Sequence, residues 1–230
     1  MTETIVSFMF FGAALTIGAY AFASWLQKKL GWGFLNPIIV SALLVIGILL
    51  LLGIDYEDYA VDAGWISYLL TPATVCLAIP LYKQLTLLKK HWKAVVIGLV
   101  AGVASSAAGV TALAFAFGLN HAQYATLLPK SVTSAIGFGI AEELGGMPSL
   151  AVAVIVLTGV MGNIIARGLC RVLRITDPVA QGIGIGAASH AIGTAKALEM
   201  GEVQGAMSSL AVAVAGLLTV AAAPFLAMLI

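Results

Sequence analysis

Apolar residues fill six stretches long enough to cross a bilayer, and they nearly fill two more that polar residues interrupt midway. A membrane-crossing helix takes about 20 mainly apolar residues. Residues 5–26, 35–52, 64–81, 94–119, 148–169 and 203–230 fit that pattern. The third is the weakest, because Thr71-Pro72 and Ile79-Pro80 interrupt it and predict a kink or an unwound stretch. Asn36-Pro37 opens the second, where proline suits a first helical turn. The two interrupted stretches are residues 121–145 and 177–201. Pro129-Lys130-Ser131 breaks the first, and the run Gly186-Ala187-Ala188-Ser189-His190 breaks the second.

These two stretches are copies of one unit. Ala135-Ile136-Gly137 recurs as Ala191-Ile192-Gly193, and Glu143 and Gly145 recur at the same offset as Glu199 and Gly201. Ser149-Leu150-Ala151-Val152-Ala153-Val154 then returns letter for letter as Ser209-Leu210-Ala211-Val212-Ala213-Val214. Each copy is a polar, glycine-interrupted segment followed by a long apolar one.

Composition turns this pattern into a membrane protein. Only 9% of the 230 residues are charged and 61% are hydrophobic, with a mean hydropathy of +1.08; soluble domains carry about 25% charged residues. A net charge of +1 argues for neither nucleic acid nor an acidic partner. Glu3 stands where a signal peptide would be basic, so the first apolar stretch reads as a span. Cys76 and Cys170 lie in or beside apolar stretches without metal-like spacing and read as small buried hydrophobes.

Charge placement orients the chain. Nine of the eleven cations fall in three clusters: Lys28 and Lys29; Lys83, Lys89, Lys90 and Lys93; Arg167, Arg171 and Arg174. The loop holding Asp55, Glu57, Asp58 and Asp62 is purely acidic. With the basic clusters in the cytoplasm, residues 121–145 begin and end outside, and residues 177–201 begin and end inside. The expected fold is an all-α membrane protein with about six transmembrane helices plus two re-entrant or broken helical hairpins. The duplicated units then form the inverted repeat of a secondary transporter. Residues 1–120 would be a scaffold of four spans, and residues 121–230 a transport unit of two broken-helix repeats, 121–169 and 177–230.

At 1.5 Å per residue, Lys130 and Gly186 would each lie roughly 13 Å into a core about 30 Å thick. A half-helix starts at each break, and its free N–H groups and positive dipole end favour an anion. Ser131, Thr133 and Ser134 stand at the first break and Ser189, His190 and Thr194 at the second. Together with Lys130 they are the candidate substrate-binding residues, and a small carboxylate is the ligand they suggest. Duller readings stand beside this one. Lys130 could snorkel to an interface, His190 could donate to a nearby carbonyl and lock packing, and the serines could cap half-helices. His91 and His121 sit at span ends and read as interfacial.

Glu142, Glu143, Lys196 and Glu199 are candidate gating or coupling residues near the headgroups, with Glu202 beside them. Lys196 is spaced to pair with Glu199 on one helical face. The glycine runs Gly137-x-Gly139 and Gly182-x-Gly184-x-Gly186, and the small-residue run 101–109, read as close helix packing. No Ser-His-Asp set, metal-spaced cluster or phosphate loop is found, so no enzyme, cofactor or metal site is expected. A coupling ion, H+ or Na+, stays open.

The chain also resembles a known family. Leu128-Pro129-Lys130-Ser131-Val132-Thr133, the run 186–195 (Gly-Ala-Ala-Ser-His-Ala-Ile-Gly-Thr-Ala) and Gly205-Ala206-Met207-Ser208-Ser209-Leu210 resemble the LrgB/CidB family of bacterial inner-membrane proteins. Asn36-Pro37 and the Pro72…Pro80-Leu81-Tyr82 pattern match too, so the likeness spans nearly the whole chain. The family reads Thr-Pro where this chain has Ser134-Ala135. The resemblance implies a multi-pass inner-membrane protein with a smaller LrgA/CidA-type membrane partner, as a homo- or hetero-oligomer in the lipid bilayer. It implies two competing functions. One is holin- or antiholin-like control of murein hydrolase export and autolysis. The other is transport of small carboxylates such as pyruvate, glycolate or glycerate, the last two in the related plastid translocator. Two copies of a broken polar unit favour alternating-access transport, because a hole-forming protein has no need of them.

Overall fold

The computed structural model describes residues 10–30, 36–69, 72, 75–76, 78–83 and 85–230. Among these residues the chain is helical or in short turns, and it divides into two compact units, Met1–Cys76 and Leu77–Ile230.

The first unit holds α1 (Phe11–Leu30), α2 (Pro37–Leu52) and α3 (Tyr56–Ser67). The Asn36 side chain accepts the Ile38 N–H (2.9 Å) to open α2, and Gly53, at φ 63°, ends it in a left-handed cap. Gly12 of α1 lies against the Tyr59 carbonyl, where a side chain would collide with α3 backbone. One turn on, the Thr16 hydroxyl donates to the Gly12 carbonyl (2.7 Å) and accepts from the Tyr59 hydroxyl (2.6 Å).

One sequence expectation is corrected here. The acidic run is not a loop: Asp55 is the N-cap of α3, and Glu57 and Asp58 lie in its first turn, where the helix dipole favours anions. The third stretch is interrupted, as expected, but earlier than its prolines: α3 ends at Ser67, and a short α4 (Ala78–Lys83), which contains Pro80, belongs to the second unit. Of the predicted kink, Thr71 lies outside the described residues and Pro72 is helical.

The second unit continues with α5 (Leu85–Phe117), α6 (His121–Leu127), α7 (Ser134–Glu143), α8 (Pro148–Val172), α9 (Pro178–Met200) and α10 (Glu202–Ala227). Among the described residues three helices are long and apolar enough to cross a membrane: Trp92–Phe117 within α5, α8 and α10; α2 is a shorter apolar helix. Residues 94–119, grouped with the scaffold in the sequence reading, pack in the second unit. Val95 and Leu99 of α5 share a core with Ile183 and Ala187 of α9 and with Ala206, Met207 and Ala211 of α10. Further along α5, Val110 and Ala114 pack with Tyr124, Ile140 and Ala223.

Both interrupted stretches double back. In the first, His121 Nε2 contacts the Leu144 carbonyl (2.9 Å) and the Met147 N–H donates to Thr126 Oγ1 (2.8 Å). The ends of the α6–α7 pair therefore lie together, beside the start of α8. In the second, Gln204 Nε2 donates to Gln181 Oε1 (3.1 Å), joining the beginning of α9 to residues just past its end. Ile185 and Ala197 share one buried cluster, although twelve residues of straight helix would separate them by about 18 Å. The open ends of α9 lie at the arginine-bearing end of α8, where Arg171, Gln181 and Met200 line one pocket. The 25 residues of α8 span about 37 Å, so the two folded-back stretches open at opposite ends of that helix.

Small residues let α9 and α10 touch. A side chain at Gly182 or Gly186 would meet the backbone carbonyl of Gln204 or Ser208. Between apolar helices in lipid, such backbone approach replaces the hydrophobic effect as the source of association. The expectation of close packing holds for Gly137, Gly182 and Gly186, while Gly139 and Gly184 face open space. A spacing of two cannot keep both glycines on one face of a helix with 3.6 residues per turn.

Candidate functional site

The first break is a six-residue turn. The Lys130 N–H reaches the Leu127 carbonyl (3.1 Å) and the Val132 N–H the Pro129 carbonyl (3.1 Å). Thr133 is then extended, at φ −67° and ψ 151°, and serves as the N-cap of α7 without a capping hydrogen bond from its side chain. Lys130 is half-buried, and its Nζ donates to Ser131 Oγ (2.9 Å). Ser131 Oγ also meets Ser106 Oγ of α5 (3.1 Å). Ser131 and Ser106 face a cavity of about 20 Å³ with Thr219 of α10 and Ala187 of α9. That cavity holds about one water-sized group. Thr133 and Ser134 remain half-buried at the start of α7.

The second break is a single residue. Gly186 stays helical, and the chain departs from helix only at His190, with φ 41° and ψ −144°. The break therefore falls at the last residue of the predicted run. That conformation costs about 1–3 kcal/mol for a residue with a side chain. Its compensation comes from neighbours. His190, 3% exposed, places Nε2 on the Ile155 carbonyl of α8 (2.9 Å); a carbonyl only accepts, so Nε2 carries the proton. The His190 carbonyl accepts from Thr194 Oγ1 (3.0 Å). With the Thr194 proton so used, the Ser208 hydroxyl of α10 donates to Thr194 (2.8 Å), and both residues are fully buried. Asn163 Nδ2 of α8 donates to the Ile192 carbonyl (2.9 Å).

The residues that seat this break lie outside both copies of the polar segment. A side chain at Gly159 would strike the His190 ring, and one at Gly162 would strike Ser189. The sequence reading missed Gly159, Gly162 and Asn163, and it quoted Ser208 only as part of a family resemblance. An asparagine among glycines at the centre of an apolar span was the available signal, since a polar residue at that depth needs a partner.

The candidate binding residues thus form two groups. Lys130 and Ser131 join Ser106, whereas Ser189, His190 and Thr194 are buried among α8 and α10. Ala187, on the shared cavity, connects the two stretches. The candidate gating residues lie at the open ends. Glu142 and Glu143 are exposed in the last turn of α7, and Lys196 Nζ donates to Glu199 Oε2 (2.7 Å). Glu202 lies 3.9 Å from Lys83. His121 is exposed and bridges the carbonyls of Leu144 and Ile230; the side chain of His91 lies outside the described residues.

Three long apolar helices and two doubled-back polar stretches define a helical membrane protein. The LrgB-like family model matches residues 16–229, and the chain belongs to that family. It is 38% identical to holin-like protein CidB of Staphylococcus aureus (strain Mu50) and 35% identical to antiholin-like protein LrgB of Bacillus mycoides (strain KBAB4), covering 94% of both chains in each case. It is also 37% identical to the uncharacterized protein YxaC of Bacillus subtilis (strain 168), over 89% of both chains. No solved structure matches it.

Proposed function

We propose that the chain carries small carboxylates, such as pyruvate, glycolate or glycerate, across the bacterial inner membrane. The observation that carries this reading is Lys130: a half-buried ammonium at the tip of a doubled-back stretch, beside the hydroxyls of Ser131 and Ser106. The seven residues of α6 lower that tip by about 10 Å, a depth where a charge is expensive and is kept for function. The start of α7, with Thr133 and Ser134, adds free N–H groups and a positive dipole end toward the same anion.

In this proposal both stretches are re-entrant, dipping from opposite faces as an inverted repeat within a multi-pass chain. Residues 121–230 carry the alternating-access, elevator-like motion. Glu142, Glu143, Lys196 and Glu199 guard the two openings, and H+ or Na+ couples the motion. A smaller LrgA/CidA-type membrane protein joins it in a homo- or hetero-oligomer.

A second reading is holin- or antiholin-like control of murein hydrolase export and autolysis. The relatives' names, holin-like CidB and antiholin-like LrgB, favour it over transport. Reconstituted liposomes separate the two. Transport predicts saturable uptake of labelled pyruvate or glycolate without leakage of a trapped dye, and loss of that uptake in Lys130→Ala at unchanged insertion. Dye leakage without saturable uptake would establish the second reading, and unchanged uptake in Lys130→Ala would remove Lys130 from the site.

A further inference from the structure

We infer that the pocket lined by Arg167, Arg171 and Arg174 at the end of α8 is a separate binding site for an oxyanion, a carboxylate or a phosphate. The pocket measures about 460 Å³ and opens beside the two ends of the doubled-back α9, where Gln181 and Gln204 join. Arg167 and Arg171 are one helical turn apart and share a face. Arg174 is brought to the same pocket by the way the helix stops. Its N–H bonds the Arg171 carbonyl (3.2 Å), the Ile175 N–H bonds the Cys170 carbonyl (2.8 Å), and Arg174 itself sits at φ 56°. Together these contacts make a left-handed helix cap, a position glycine fills with less strain than any other residue. An arginine stands there where the backbone would favour glycine.

The acids at this end already have partners. Asp177 accepts the Ala180 N–H (2.8 Å), Glu199 is bridged to Lys196 and Glu202 lies near Lys83. Among the described residues none of the three arginines forms an ion pair. Three exposed arginines line one pocket, and guanidinium groups are the forked donors that match carboxylate and phosphate oxygens. Cys170, Ile175 and Met200 give that pocket an apolar side, suited to a short carbon chain or to the base of a lipid headgroup.

The test uses the full chain in phosphatidylcholine nanodiscs, titrated with inorganic phosphate, and in nanodiscs containing phosphatidylglycerol, with retained lipid counted by native mass spectrometry. A soluble occupant predicts saturable phosphate binding, weakened at least tenfold in Arg167→Gln/Arg171→Gln and in Arg174→Gly and unchanged in Gly139→Ala, which faces open space far along the chain. A lipid occupant predicts no response to phosphate and loss of retained phosphatidylglycerol in the same arginine variants. Arg174→Gly relieves the cap, so its melting temperature should equal or exceed that of the parent, and its lost binding cannot be put down to misfolding. The inference falls if neither phosphate binding nor phosphatidylglycerol retention depends on the arginines. This site does not rest on the transport proposal. Uptake without arginine-dependent binding would defeat the site alone, and arginine-dependent binding without uptake would defeat transport alone.

Discussion

The two doubled-back stretches share short sequence matches yet are broken in opposite ways. The first turns through six residues around Pro129, needs no left-handed backbone, and leaves Lys130 half-buried beside two serines. The second turns at one strained residue, His190, which α8 receives in a notch at Gly159 and Gly162. Its freed carbonyls are taken up by Thr194 and Asn163. The contrast is one of packing: the first break leaves a lysine half-buried beside hydroxyls, and the second is held by buried contacts to α8 and α10.

The largest effect that would test this contrast is in the notch. Gly162→Val should destabilise the protein by about 3 kcal/mol, because the new methyl groups collide with Ser189 in a packed site. Gly139→Val, in the first stretch and facing open space, should change stability by no more than about 0.5 kcal/mol. Thermal unfolding in one detergent compares them, and equal melting temperatures would erase the notch.

His190→Ala comes next. It removes a buried ring and its bond to the Ile155 carbonyl and should cost about 2 kcal/mol. A variant as stable as the parent would mean that the ring does not pin the break. Ser208→Ala, which deletes the donor to Thr194, should cost about 1 kcal/mol by the same assay. Lys130→Ala should have the smallest effect, within about 0.5 kcal/mol, since the ammonium's hydrogen bond is to the neighbouring Ser131. A loss near that of His190→Ala would make the first break as much a structural lock as the second.

The same contrast explains what could be read in advance. The first break was legible because its causes are local: proline at 129, a lysine and hydroxyl residues within six positions. The second was read across the run Gly186–His190, and only its last residue, His190, leaves the helix. Gly186 instead serves contact with Ser208 and Ala211 in α10, and the break sits where α8 has room for it. No local rule could supply that, since Gly159 and Gly162 lie some thirty residues upstream of Ser189 and His190. Helices α8 and α10 were legible from length and apolarity, and the family from its motifs. The acidic run at Asp55 was read as a loop; its Asp55, Glu57 and Asp58 are exposed, but they stand at a helix start, where the dipole favours anions as well as solvent does. The repeated hexapeptide was legible as letters but not as position: it begins at the second residue of α8 and the eighth of α10.

Accessibility of single cysteines in oriented vesicles tests the account most directly. In a Cys76→Ser/Cys170→Ser background, cysteines at Asn120, Gly145, Thr176 and Gly201 are reacted with a membrane-impermeant thiol reagent. The account predicts that positions 120 and 145 are labelled from one face and positions 176 and 201 from the other. Labelling of 120 and 145 from opposite faces would mean that the first stretch crosses straight through, and the arrangement proposed here would be wrong.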